Sequence, residues 1–176
     1  MDKTLERLME GNLQYRKTGT FTGDVSKQRR AQNATRQKPF AAIVTCSDSR
    51  VIPETIFGAG IGELFVVRTA GNVVGTAELA SLTYAVAHLG VRVVIVMGHT
   101  GCGAIDATLK GEFEGAVGAI TRHIKEAIGK ESDPDQACVK NVQSGVTTLK
   151  KALDQNNVSI LGMVYDIVSG TVKVIE

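Results

Sequence analysis

Two apolar, β-branched-rich runs, Phe40 to Thr45 and Arg92 to Met97, are bounded by turn residues and show no polar alternation. That is the pattern of strands buried on both faces of a parallel sheet. Thr4 to Lys17 differs: Leu5, Leu8, Met9, Leu13 and Tyr15 recur at helical spacing with the charged residues mostly on the other side, which predicts an amphipathic helix. A long polar segment, Thr18 to Lys38, joins this helix to the first strand. Residues 1–38 therefore read as a helical arm and connector, and 39–176 as the core of a single α/β domain. The apolar stripe of the arm suits packing on a partner subunit as well as on its own domain.

The rest of the chain alternates. A short helical turn begins at Pro53, and a second strand lies near Leu64 to Val67. A helix over Thr76 to Leu89 is stopped by Gly90. After the strand ending at Met97, three further helices are predicted over Ala104 to Lys110, Ala116 to Ile128 and Asp135 to Asp154, the last two separated by the breaker Ser132-Asp133-Pro134. Val158 to Ile167, the Ser169-Gly170 turn and Thr171 to Ile175 read as strand, turn and edge strand. Strand and helix in alternation imply right-handed crossovers. The expected fold is α/β: a mainly parallel central sheet of four strands with a C-terminal edge strand, flanked by helices, with an N-terminal helical arm.

Composition narrows the function classes. With 43% hydrophobic and 22% charged residues among 176, the chain has the make-up of a soluble globular protein, and no apolar run nears the roughly 20 residues of a membrane span. The N-terminal residues lack a continuous signal core, so secretion is not expected. A formal charge of +2 does not argue for nucleic acid. The local basic segment Lys27, Arg29, Arg30, Arg36 and Lys38 has no interleaved aromatics and reads as a solvated connector. Three cysteines give no disulfide framework, and their expected chemistry needs reduced thiols, which points to the cytoplasm.

That chemistry is metal binding. Cys46 follows the first strand directly, and His99 and Cys102 follow the third within the glycine-lined turn Gly98 to Gly103. In open α/β sheets, groups just past the carboxyl ends of strands converge on one crevice. Two sulfurs and an imidazole suit Zn2+, and three protein ligands leave a fourth tetrahedral position open, the mark of a catalytic site. Cys138 lies in a polar helical stretch without a nearby His or Cys and reads as outside the ligand set. Asp48 and Arg50 invite a carboxylate–guanidinium pair that keeps Asp48 ionised. Paired, Asp48 can accept a hydrogen bond from the metal's water or hydroxide; released, it can itself take the fourth metal position; the alternative is that the two residues cap the following turn. Gly98, Gly101 and Gly103, and Gly58, Gly60 and Gly62, match no phosphate-binding fingerprint and read as tight turns.

Cys46-Ser-Asp-Ser-Arg50, Arg68-Thr-Ala-Gly-Asn72 and Gly98-His-Thr-Gly-Cys-Gly103, with Tyr84-Ala-Val-Ala-His-Leu-Gly90 between the last two, resemble the signatures of the β-class carbonic anhydrases. The resemblance is dense from about Pro39 to Ile105 and looser to the terminal strand pair. It implies a zinc enzyme that interconverts carbon dioxide and bicarbonate, with Cys46, His99 and Cys102 as ligands, zinc-bound hydroxide as the nucleophile and the Asp48–Arg50 pair orienting it. It also implies a homodimer or dimer of dimers with active sites near subunit interfaces, and places Tyr84 and Gly103 at the substrate pocket. Two thiolates donate more charge than imidazoles, so a more alkaline profile is expected unless hydrogen bonds compensate. His88 and His123 qualify as proton shuttles by residue type alone, but their positions favour neither.

Two departures stand out. Many relatives carry a substrate-binding glutamine where this chain reads Phe57-Gly-Ala-Gly-Ile-Gly62, and some bacterial relatives use a Trp in a noncatalytic bicarbonate site, whereas this chain has no Trp. Within the same resemblance, a carbonyl sulfide or carbon disulfide hydrolase and a non-catalytic zinc-binding protein remain the alternatives.

Overall fold

The computed structural model describes residues 3–154 and 157–175. In chain order the elements are α1 (Lys3–Thr18), α2 (Lys27–Gln32), β1 (Ala41–Cys46), α3 (Pro53–Ile56), β2 (Leu64–Thr69), a 3-10 turn (Ala70–Asn72), α4 (Thr76–Ala87), β3 (Val93–His99), α5 (Gly103–Leu109), α6 (Gly118–Ile128), α7 (Pro134–Ala152), β4 (Ser159–Tyr165) and β5 (Val172–Ile175). The strands form one sheet in the order β2-β1-β3-β4-β5. The first four run parallel, and β5 closes the edge antiparallel to β4. This is the expected mainly parallel sheet with its C-terminal edge strand.

The unbroken apolar runs have a simple cause: both faces of the central strands are covered. Ala42, Val44, Val94 and Val96 pack with Leu82, Ala85 and Val86 of α4 and Val142 and Leu149 of α7. Ala41, Ile43, Val93, Ile95 and Met97 pack on the other face with Leu8 of α1 and Ile56 of α3. Strand alternation thus divides one continuous run between two apolar layers.

Local chemistry sets the helix ends. Asp133 caps α7, its Oδ1 accepting from the Gln136 N–H at 2.8 Å, and Pro134 follows where its missing donor is harmless. Gly90 turns the chain out of α4 with φ at 74°, a conformation open to glycine. The connector is more ordered than its polar composition suggested. Ser26 caps α2 by accepting from Arg29 N–H at 3.0 Å, and Arg29 Nε donates to the Ile61 carbonyl at 2.9 Å.

The arm packs on its own chain. Asn12, 2% exposed, donates from Nδ2 to the Gly170 carbonyl at 2.9 Å and the Ile56 carbonyl at 3.3 Å, and accepts from Val172 N–H at 3.1 Å. One amide therefore joins α1 to α3 and to the start of β5. Arg7 adds an ion pair to Glu63 at 2.6 Å while its guanidinium lies 3.9 Å from the centroid of the Phe40 ring.

Candidate metal centre

Strand order positions the site. From β1 the chain steps to β2 on one side, then crosses back to β3 on the other, so the switch point lies between β1 and β3 at their carboxyl ends. β1 ends at Cys46 and β3 at His99, and parallel pairing of Ala42–Thr45 with Val94–Met97 brings those ends together. Cys102 follows three residues later, at the start of α5. The donor atoms of Cys46, His99 and Cys102 all lie within 4.8 Å of one another.

Three features fit a metal cation. The Cys46 and Cys102 sulfurs are 3.9 Å apart, close to the roughly 3.8 Å that two 2.3 Å zinc–sulfur bonds span at a tetrahedral angle. The His99 Nδ1 faces the Thr100 carbonyl at 2.9 Å; a carbonyl only accepts, so Nδ1 carries the proton and Nε2 keeps its lone pair for a metal. That Nε2 is one of two buried side-chain nitrogens without a hydrogen-bond partner among the described residues, the other being Asn72 Nδ2.

The electrostatics of the trio mark a place for positive charge. The hydrogen bond from Cys102, aided by the adjacent His99 ring and by the Asp48 and Gly71 amides, pushes the Cys46 thiol down to about 4. That same bond to Cys46, together with burial, drives Cys102 upward. Burial pulls the His99 imidazole down, yet the closeness and charge of Cys46, with the Thr100 carbonyl, outweigh it and leave His99 above its ordinary value. Two backbone donors settle negative charge on the Cys46 sulfur: Asp48 N–H at 3.4 Å and Gly71 N–H at 3.3 Å.

Asp48 and Arg50 form the expected pair. The Arg50 backbone N–H and Nε each donate to Asp48 Oδ1 at 2.9 Å, and Nη2 donates to Oδ2 at 2.7 Å. These bonds from Arg50 hold the Asp48 carboxyl well below the usual carboxylate range. Its Oδ2 stands 3.8 Å from His99 Nε2, at the edge of the donor cluster. Arg50 Nη2 also reaches the Gly101 carbonyl at 3.3 Å, linking the Cys46 loop to the His99–Cys102 turn.

The other sequence candidates fall in different places. Gly103 opens α5 beside Cys102, and a Cβ there would meet nothing within 4 Å, so this side of the cluster is open. Tyr84 is half exposed on α4, its ring 5.0 Å from that of His88 and 6.5 Å from that of Phe65 on the sheet edge. Cys138 is outside the donor cluster but only 3% exposed. Burial pushes its thiol up to about 11, and its Sγ donates to the His99 carbonyl at 3.4 Å.

Sequence reasoning gave no individual role to three contributors, although the Arg68–Asn72 motif contains two of them. Arg68 donates from Nε to the Cys46 carbonyl at 3.2 Å and from Nη2 to the Asp48 carbonyl at 2.6 Å. Gly71 donates to Cys46 from a left-handed backbone, φ 64°, where an added Cβ would lie 2.7 Å from Ile124 Cδ1. Asn141, 4% exposed, donates from Nδ2 to the Gly71 carbonyl at 2.8 Å. Its signal was in the pattern, since Cys138, Asn141, Val142 and Leu149 share the buried side of α7.

Comparison with known proteins agrees with this geometry. The carbonic anhydrase family model matches residues 41–172. A carbonic anhydrase of Mycolicibacterium smegmatis is 33% identical over 94% of this chain and 89% of its own, and one of Pseudomonas aeruginosa is 36% identical over 81% and 76%. Among solved structures, a Coccomyxa β-carbonic anhydrase in complex with acetazolamide superposes with a TM-score of 0.74 at 26% identity, over 99% of this chain and 85% of that one. With a matched segment that runs from β1 to the first residue of β5 and takes in β1 to β4 and all three donor residues, the chain belongs to the β-carbonic anhydrase family.

Proposed function

We propose that the protein catalyses the reversible hydration of carbon dioxide to bicarbonate and a proton, with Zn2+ held by Cys46, His99 and Cys102. The observation that carries this reading is the convergence of two thiols and a tautomer-fixed imidazole beside an ionised carboxylate. Zinc, when bound, supplies a Lewis acid that makes water a usable nucleophile near neutral pH.

The chain's own residues do the rest. Asp48 presents Oδ2 at the edge of the cluster and orients the attacking water by accepting its proton in a hydrogen bond. Arg50 holds both Asp48 oxygens, which keeps the carboxylate from turning onto the metal. The amides of Asp48 and Gly71 draw charge from the Cys46 sulfur, which offsets part of the extra donation from a two-thiolate ligand set. Carbon dioxide approaches over the open side at Gly103.

The proposed assembly is a homodimer or a dimer of dimers. Support comes from β2, whose outer edge has no strand partner among the described residues and whose Leu64, Phe65, Val66 and Val67 are all partly exposed. Ile52 and Tyr84 are exposed apolar residues as well. An apolar open edge is a ready site for association, and a pocket role for Tyr84 is proposed together with that dimer. No helix among the described residues is long and apolar enough to cross a membrane. A cytoplasmic location is proposed because the ligand thiols must stay reduced.

Stopped-flow carbon dioxide hydration with parallel metal analysis tests the function. Cys46→Ala should lose zinc and rate together, whereas Asp48→Asn should keep zinc and lose about a hundredfold or more in rate. Zinc-loaded protein no faster than free zinc would reject the reading, and turnover of carbonyl sulfide under those conditions would replace it.

A further inference from the structure

Helix α7 contributes no donor atom to the cluster, yet it touches both halves of it from behind. Cys138 and Asn141, one helical turn apart, are almost fully buried and lie on the same side of the helix. Asn141 Nδ2 donates to the Gly71 carbonyl at 2.8 Å while the Gly71 N–H donates to Cys46 Sγ at 3.3 Å. Cys138 Sγ donates to the carbonyl of His99 itself. Close packing holds the helix in place: a Cβ at Gly98 would stand 2.8 Å from Cys138 Sγ and 2.7 Å from Val142 Cγ2, and one at Gly145 would stand 3.0 Å from Val96 Cγ1.

We infer that Asn141 is a positioning residue that tunes the metal through Cys46, while Cys138 on the same face steadies the His99 backbone. Gly71 sits in a left-handed conformation, and its two flanking peptides are each tied at one end, one to Asn141 and the other to the Cys46 sulfur. Releasing its carbonyl lets the turn relax and lengthens the N–H···S bond. A sulfur without that donor holds more charge and donates more of it to the metal, and the metal becomes a weaker Lewis acid. The relaxed turn also leaves the Cys46 sulfur without a set direction, and this loss of positioning outweighs the stronger donation: losing such outer hydrogen bonds typically lowers metal affinity by about 10- to 100-fold. The Cys138 bond acts on the other ligand loop by fixing the backbone from which the imidazole hangs.

This rests on metal binding by Cys46, His99 and Cys102, and it can be tested without turnover. Protein loaded with Co2+ reports its thiolate ligands through the sulfur-to-cobalt charge-transfer band, and competition with a chelator gives its affinity. Asn141→Leu, close in volume but unable to donate, should bind Co2+ at least tenfold more weakly and shift the band to lower energy. Asn12→Leu breaks a buried amide network far along the chain and serves as the control: it should lower thermal stability and leave band and affinity unchanged.

An Asn141→Leu protein that is less stable but has the wild-type band and affinity would overturn the inference, leaving Asn141 a packing residue. Should that variant not fold, Asn141→Ala, which removes the donor without adding bulk, decides in its place; weaker Co2+ binding with the band at lower energy supports the inference, and unchanged binding and band overturn it. A wild-type protein that takes up no Co2+ at these residues overturns it too. If Co2+ binds and the band shifts but the zinc protein fails to hydrate carbon dioxide, the proposed reaction fails and the positioning role stands.

Discussion

Arg68 reaches from the edge strand β2 to the backbone of Asp48, its Nη2 donating to the Asp48 carbonyl at 2.6 Å while its Nε donates to the carbonyl of Cys46. One planar fork thereby fixes the turn that carries both the Cys46 thiol and the carboxylate beside it. The pairing is possible because β1 and β2 run in parallel register, with Thr45 opposite Arg68 and Cys46 opposite Thr69.

Arg68→Ala should loosen this turn. The bond to Asp48 is exposed and that to Cys46 only partly buried, so the loss in folding stability is about 1 kcal/mol, while metal affinity should fall more visibly because the Cys46 sulfur loses its set direction. Arg68→Lys should not restore it, since a point charge cannot reach two carbonyls as a rigid fork does. Chelator competition and thermal unfolding on the three proteins check both statements, and a lysine variant with wild-type affinity would contradict the second.

The Asp48–Arg50 pair predicts a specific acid limb. Arg50 holds the Asp48 pKa below its unfolded value, so the unfolded chain takes up the proton first as pH falls. The contribution to stability is therefore complete above about 3.9, the ordinary Asp value, and is lost as pH drops from there toward the folded value. Arg50 is 54% exposed, which keeps the effect small. Urea unfolding of wild type and Asp48→Asn should show a constant difference between pH 7 and 5 that shrinks below about 4; a difference that peaks in acid would refute the sign.

Metal removal should destabilise the wild type alone. A ligand present at about 100 times its dissociation constant adds about 2.7 kcal/mol, so a chelator should lower Tm by about 5–10 °C for a chain of this size. Cys46→Ala, with the donor set broken, should unfold at one temperature with or without chelator. Differential scanning calorimetry reads both.

Gly11→Ala inverts the usual helix rule. In an exposed helix the exchange stabilises by about 1 kcal/mol, but a Cβ on Gly11 of α1 would collide with the Phe57 carbonyl oxygen at the end of α3. The backbone there cannot swing aside as a side chain would, so a net destabilisation of about 2 kcal/mol is expected, a Tm lower by about 4–8 °C. An unchanged or higher Tm would show that α1 does not rest on α3 in solution.

The strands, most of the helices and the Cys46, His99 and Cys102 cluster were legible before any coordinates. Apolar runs without alternation mark strands covered on both faces, as Ala41–Cys46 and Val93–His99 are, and residues placed directly after such strands meet at one edge of a parallel sheet. The Cys46, His99 and Cys102 trio follows from spacing because the strands themselves carry these residues to the crevice. The Asp48–Arg50 pair is equally local, two residues apart on one turn.

Tertiary structure decided what supports that site. Arg68, Asn141 and Cys138 act across 20, 70 and 39 residues of sequence, and no local pattern distinguishes an arginine that braces a turn from one in solvent, or a buried amide facing a peptide from one facing water. The polar connector hid α2 because its helix depends on the Ser26 cap and on the Arg29 contact with Ile61 rather than on an apolar stripe. The placement of α1 rests on Asn12 finding backbone partners near residues 56, 170 and 172. Periodicity shows that a face must be buried; the shape and unpaired polar groups of the surface opposite decide where.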